Sequence, residues 1–342
     1  MRLLGALALA LVCIGLTVSS PVAAQGVPGR PIVDPRDPRV PYREGVAAYL
    51  RGDLDAARQS LERALRLAPQ YTDASLLLGD TLYRASDVAG AIAVYESALV
   101  YAPAHAGLAA RLEALRREAS LGNGFFQAQG AHFTVLFEGP ADEQLARRAV
   151  ELLEDAYWRV GGALTTYPEH LITVVLYTQE QFRDITRSPQ WAAAAYDGRI
   201  RVPMRGALAD PAELERVLTH EFTHALLLTI APRNVPAWLN EGLAVLFEPR
   251  GREWLDAESV RSTRRIPLSQ LAAGFGRLPA ADARQAYVDS GVAARAVVDQ
   301  MGASALVELL RDLARGDRFE AAFERRAGMT FDTFLTGVAI PR

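Results

Sequence analysis

Cysteine is nearly absent from this 342-residue chain; the one copy, Cys13, lies inside an apolar N-terminal stretch. Without Cys13 the chain can form neither a disulfide nor a thiolate metal site. Lysine is missing altogether. All 37 basic residues are arginine, which reads as coding bias in a GC-rich genome rather than as function. No basic run occurs and the net charge is −3, so nucleic-acid binding has no electrostatic support. Histidine is scarce: His105, His132, His170, His220 and His224 are the full set. The long apolar run, Leu3 to Val18, is short for a membrane span.

That run, with Arg2 before it and Val22-Ala23-Ala24 after it, reads as a signal peptide over residues 1–24. Cleavage before Gln25 would remove Cys13 and leave no stable membrane span. An uncleaved anchor is the alternative, but the small-residue exit favours cleavage. Val12 ahead of Cys13 fits a lipoprotein site poorly. The implied location is periplasmic or secreted. Residues 25–41 carry Pro28, Pro31, Pro35, Pro38 and Pro41, and read as an extended linker.

A 34-residue self-similarity follows. Gly45 matches Gly79, Ala57 matches Ala91, Leu61 matches Tyr95, Ala64 matches Ala98 and Pro69 matches Pro103. Small residues at these offsets let paired helices pack closely, and the prolines end them. The pattern resembles tetratricopeptide (TPR) repeats, with a capping helix from His105 to Ser120, over residues 42–120. Such arrays bind peptides or proteins; a spacer without a ligand is the equal alternative for two repeats. Gly122-Asn123-Gly124 marks a boundary.

Beyond it, His132–Phe137 alternates as a strand, Ala141–Val160 reads as a helix, and Leu171–Tyr177 is a β-branched strand. Tyr196–Pro203 reads as a hairpin or edge strand, and residues 293–338 as C-terminal helices whose last pair covers the site. The expected class is α+β: all-α repeats first, then a mixed domain at 125–342. His132 and His170 open strands and read as structural; His105 reads as a surface residue.

The densest chemistry is His220-Glu221-Phe222-Thr223-His224. By composition, a chance H-E-x-x-H is expected roughly once in a hundred or more such chains. Asp210-Pro211-Ala212-Glu213 reads as N-cap, first-turn proline and capping-box acid of its helix. Residues four apart share a helix face, so His220 and His224 can hold one metal ion. Glu221 is placed to act as general base toward a water at that metal. A catalytic zinc takes three protein ligands, and no histidine follows His224. A downstream third ligand is then a carboxylate, and Glu241 is the natural candidate on a second helix, Ala237 to Phe247.

H-E-F-T-H followed by Trp238-Leu239-Asn240-Glu241-Gly242 resembles the gluzincin metallopeptidases, which include thermolysin and the large zinc aminopeptidases. It is most similar to small peptidase-MA-like domains that follow TPR repeats, over about 125–342. The resemblance implies Zn2+ held by His220, His224 and Glu241, with Glu221 as base. It also implies an oxyanion donor downstream, and Tyr287 is the tyrosine that remains; a core tyrosine is the other reading, and Ser290 could support the site. Glu248 could orient a ligand histidine or be a solvated helix end. The edge strand could pair with substrate backbone or be an ordinary sheet edge. The Gly-x-Met-x-Asn strand of the aminopeptidases is missing, which favours endopeptidase action. The expectation is a zinc-dependent hydrolase of peptide or protein substrates, with a possible protein partner at the repeats. The rival is a non-enzymatic interaction protein with a vestigial zinc domain; a hydrolase of non-peptide amides is a third reading.

Overall fold

A computed structural model describes residues 36–122, 125–177, 195–196, 199–203, 210–232, 234–261, 264–272, 274–275, 278 and 280–337. The signal-peptide reading at 1–24, the linker up to 35, the boundary at Asn123-Gly124 and the Asp197-Gly198 turn lie outside the described residues.

Four helices open the fold: α1 (Arg39–Leu50), α2 (Leu54–Leu67), α3 (Thr72–Arg84) and α4 (Val88–Tyr101). Helix α1 begins inside the stretch read as an extended linker. Pro38 and Pro41 fall at its start, where a missing N–H leaves no bond unmade. Asp53 and Asp87, one repeat apart, cap α2 and α4 by accepting from Ala56 N and Gly90 N. The matched glycines have a steric cause. A Cβ on Gly45 would meet Leu61 at 2.7 Å, and one on Gly79 would meet the Tyr95 ring at 2.1 Å. Each glycine admits the large side chain at the equivalent place in its own repeat. Helix α5 (Ala106–Gly122) completes the stack. His105 caps it, its Nδ1 accepting from Leu108 N, so it is a structural cap rather than merely a surface residue.

A five-stranded sheet follows, in the order β1-β2-β3-β5-β4. Its strands are β1 (Phe126–Gln129), β2 (Phe133–Phe137), β3 (Ile172–Tyr177), β4 (Ala195–Tyr196) and β5 (Ile200–Pro203). The central pairs are parallel and the two outer pairs antiparallel. Strand β4 is thus the edge of a hairpin that ends at β5. Helix α6 (Glu143–Ala163) joins β2 to β3. Alternation sorts the strands: Phe133, Val135, Val174, Leu176, Ile200 and Val202 enter the main core with α6. Val175 and Tyr177 fill a second cluster on the opposite face.

On that second face the repeats meet the sheet. Glu118 of α5 is buried and accepts from Arg199, Arg201 and Tyr83. Burial pushes the Glu118 carboxyl up, against the pull of Arg199. Ser86 and Thr173 share a hydroxyl hydrogen bond of 2.9 Å. The described residues from 36 onward belong to one compact unit.

The remaining elements are helical: α7 (Pro211–Ile230), α8 (Ala237–Phe247), α9 (Gly251–Arg261), α10 (Leu268–Leu271), α11 (Ala280–Ala314), α12 (Phe319–Ala327) and α13 (Phe331–Gly337). Helix α11 starts well before residue 293 and is interrupted at Gly302, whose φ of 73° suits glycine. The closing pair α12–α13 does not cover the site. Phe319 and Phe331 pack on Trp238, one turn before Glu241 on α8, and neither helix lines the cavity described below. Asp312 anchors this end. It is 1% exposed and accepts from Arg326 through both oxygens, and from Arg325 and Arg315. No helix among the described residues is long and apolar enough to cross a membrane.

Two outcomes follow from these buried charges. Glu118→Ala removes the buried carboxylate that Arg199 and Arg201 share and should lower stability by about 3–5 kcal/mol, read from the urea midpoint. Arg326 and its neighbours hold the Asp312 carboxyl down to about 2, below its ordinary 3.8. Its contribution is therefore full above about pH 4 and lost as pH falls toward 2. Asp312→Asn should be less stable than the parent at pH 6, with the gap closing by about pH 2 in parallel urea titrations.

Candidate metal centre

Helix α7 carries the H-E-x-x-H segment through the middle of the domain. Asp210 caps it by accepting from Ala212 N at 2.9 Å, and Pro211 starts it. Glu213 does not close a capping box; its carboxylate takes two bonds from Arg216 instead. Leu214, Leu218, Phe222, Ala225 and Leu226 anchor the apolar side, with Phe222 edge-on to Phe133 at 5.6 Å. The opposite side then presents His220, Glu221 and His224 to a cavity of about 1110 Å³.

Helix α8 supplies Glu241 to the same cavity. Glu241 Oε2 lies 3.5 Å from Nε2 of His220 and 3.5 Å from Nε2 of His224. The close approach of α8 to α11 makes this possible. A Cβ on Gly242 would lie 2.2 Å from the Ser290 carbonyl oxygen, so only glycine fits beside Glu241. Ser290 thus supports the site through its backbone.

The donor set suits a small divalent cation. Zinc bonds of about 2.1 Å in a tetrahedron give donor–donor edges of about 3.4 Å, close to the two separations above. One oxygen of Glu221 lies within 4.8 Å of nitrogens of both histidines. Its Oε2 is buried and makes no hydrogen bond among the described residues. Buried polar atoms left in this state point to a group that completes the site.

Electrostatics ask for positive charge at the same point. Burial works against a charged His220. The hydrogen bonds of Glu241 and Glu248 and the charge of Glu221 override it and raise the imidazole to about 10. His224 is raised too, Glu241 outweighing burial. Burial opposes the charge on Glu241 as well, but His224 and His220 hold its carboxyl far below the usual range. Glu221 moves the other way: burial raises it, with the histidines only partly offsetting this.

Glu248 orients one imidazole. Its Oε1 lies 2.7 Å from His220 Nδ1 and 3.0 Å from an Arg216 nitrogen. A carboxylate on Nδ1 fixes the ring and leaves Nε2 free as a ligand. Arg216 was not singled out from sequence, yet it sits one helical turn before His220, on the same face. Tyr287, on α11, lines the cavity with its ring 6.1 Å from that of His220. Burial and the nearby Glu241, Glu221 and Glu248 push its phenol up.

His132 is elsewhere: it binds Glu154 at 2.6 Å and stacks on Tyr157 at 3.7 Å, a structural role. His170 does not line the cavity.

The tetratricopeptide-repeat family model matches residues 42–107. Helices α1–α4 are therefore repeats of the kind that engage proteins. No curated protein matches the chain.

Gly242→Ala places a methyl group against backbone that must shift. We expect a loss of about 1–3 kcal/mol on thermal or urea unfolding. Gly45→Ala meets the buried Leu61 side chain first, with backbone no nearer than 3.4 Å, and should be milder.

Proposed function

We propose that this protein is a zinc-dependent metallopeptidase of gluzincin type, acting as an endopeptidase in the periplasm or outside the cell. The observation that carries the reading is the approach of Glu241 Oε2 to 3.5 Å from both His220 Nε2 and His224 Nε2 in an open cavity. His220, His224 and Glu241 would hold the ion. When bound, zinc supplies a Lewis acid that polarises a carbonyl and makes a nearby water more acidic.

The chain's own groups do the rest. Glu221 takes the proton of the attacking water and passes it to the leaving amine. Burial has raised its carboxyl, which brings it nearer the strength a base needs at neutral pH. Glu248, held by Arg216, keeps His220 turned to the ion. Tyr287, kept protonated by its surroundings, donates toward the developing oxyanion. The hairpin edge at β4 offers backbone for an extended substrate. The repeats would recruit a protein, either substrate or partner. The localisation rests on the leader-like residues 1–24.

Glu221→Gln should keep zinc, by metal analysis of the purified protein, yet lose about 10²- to 10⁴-fold in peptide hydrolysis. Full activity in that variant would refute the mechanism. Zinc at 100 times its dissociation constant should stabilise the parent by about 2.7 kcal/mol, and His220→Ala should abolish that gain. A parent protein that takes up no zinc would favour the non-enzymatic reading.

A further inference from the structure

The cavity is longer than the metal site needs. Its lining on α7 runs from Glu213 through His220 and His224 to Ala231, about 27 Å at 1.5 Å per residue. An extended peptide of about eight residues has that length. The two ends differ in chemistry. Beyond His224 the walls are mainly apolar, Leu228, Ala231, Pro232 and Val235, with Asn234 tied by its amide to Leu313 O. Beyond His220 they include Arg250, Glu253, Trp254 and Arg284.

The arginines at this second end are unequally paired. Arg216 is already satisfied by Glu213 and Glu248. Arg284 reaches Glu258 through Nε at 3.1 Å, but Glu258 is shared with Arg261 at 3.0 Å. Two guanidiniums thus divide one carboxylate. Arg250 is exposed and has no carboxylate within 4.0 Å among the described residues. Glu253 lines this end as well. Arg284 also lies 5.6 Å over the Trp254 ring, which limits its motion while its terminal nitrogens stay available. A planar guanidinium held in this way suits a carboxylate partner.

We infer that Arg284 and Arg250 form a carboxylate-binding subsite. The cavity would then select peptides with an acid group on one side of the cleaved bond and apolar residues on the other. This rests on the metallopeptidase reading for cleavage, but not for binding. The acid group is either a side chain or a free C-terminus.

The test walks one Glu, Ala or Arg along fluorogenic peptides of eight residues and compares kcat/KM. At one position Glu should exceed Ala by about five-fold, the scale of an exposed ion pair, with Arg below both. The gain should lie in KM. It should vanish in the Arg250→Gln/Arg284→Gln protein, and Arg284→Glu should turn the preference toward Arg. Amidated and free C-termini separate the two sources of carboxylate; either source supports the subsite. No position that prefers Glu, or a preference that survives the double substitution, overturns it. In parallel, Glu221→Gln protein is titrated with the same peptides by fluorescence anisotropy. If the parent cleaves nothing but the acid preference persists in binding, the peptidase reading fails and the subsite stands. Binding that ignores charge overturns the subsite.

Discussion

Helix α8 can bring Glu241 over the histidines of α7 because its next residue has no side chain. Gly242 lets the α8 backbone rest on the Ser290 carbonyl of α11, and any Cβ there would strike it. Packed interiors have little slack, so a displacement at this contact passes straight to the carboxylate beside it. The separations of 3.5 Å from Glu241 to both imidazoles depend on that single close approach. Tyr287 lies one turn before Ser290, so the same contact brings its ring toward His220.

The second constraint is electrostatic. Glu221, Glu241 and Glu248 surround two imidazoles in a mostly buried space. Removing charges from water is unfavourable unless partners compensate. Here the compensation is incomplete: His220 is drawn toward the protonated state while Glu221 is drawn toward the neutral one. A site that pulls neighbouring acid and base groups in these directions is short of positive charge. The proposed zinc ion would supply it. Arg216 stops one turn away, occupied by Glu213 and Glu248, and so does not fill the gap itself.

The sheet links this centre to the repeats by simple alternation. Ile200 and Val202 enter the core that holds α7, while Arg199 and Arg201 reach Glu118 on the other side. Removing one partner of such a buried cluster is costly, whatever its net contribution to stability. These pairs fix how the repeat stack sits against β5, the strand that carries the edge hairpin.

Much of this was legible in advance because it is local. The 34-residue offsets, the helix from Ala237 to Phe247 and the shared face of His220 and His224 follow from helical spacing alone. Leu61 and Tyr95 could be matched with each other, but the glycines they pack on could be explained only once the helices were paired. The sequence places the closing helices over the site, whereas they pack on Trp238. Their aromatic residues mark a buried face without saying which neighbour buries it. Glu248 was open between two roles, because a residue at a helix end can reach a histidine or the solvent equally well. Arg216, Arg250 and Arg284 were not singled out, since arginine in an arginine-rich chain carries no local signal.

By itself, then, the sequence determined the repeats, the α+β order, and the two histidines and glutamate on one face of a helix. Covalent geometry sets those spacings and no distant contact alters them. The tertiary structure alone decided that Glu241 closes on both imidazoles, that Glu248 orients His220, and that Arg250, in the turn before α9, and Arg284 of α11 share one end of the cavity. Those are distances between elements. They depend on how closely helices pack, and that is set by shape at contacts such as Gly242 on Ser290.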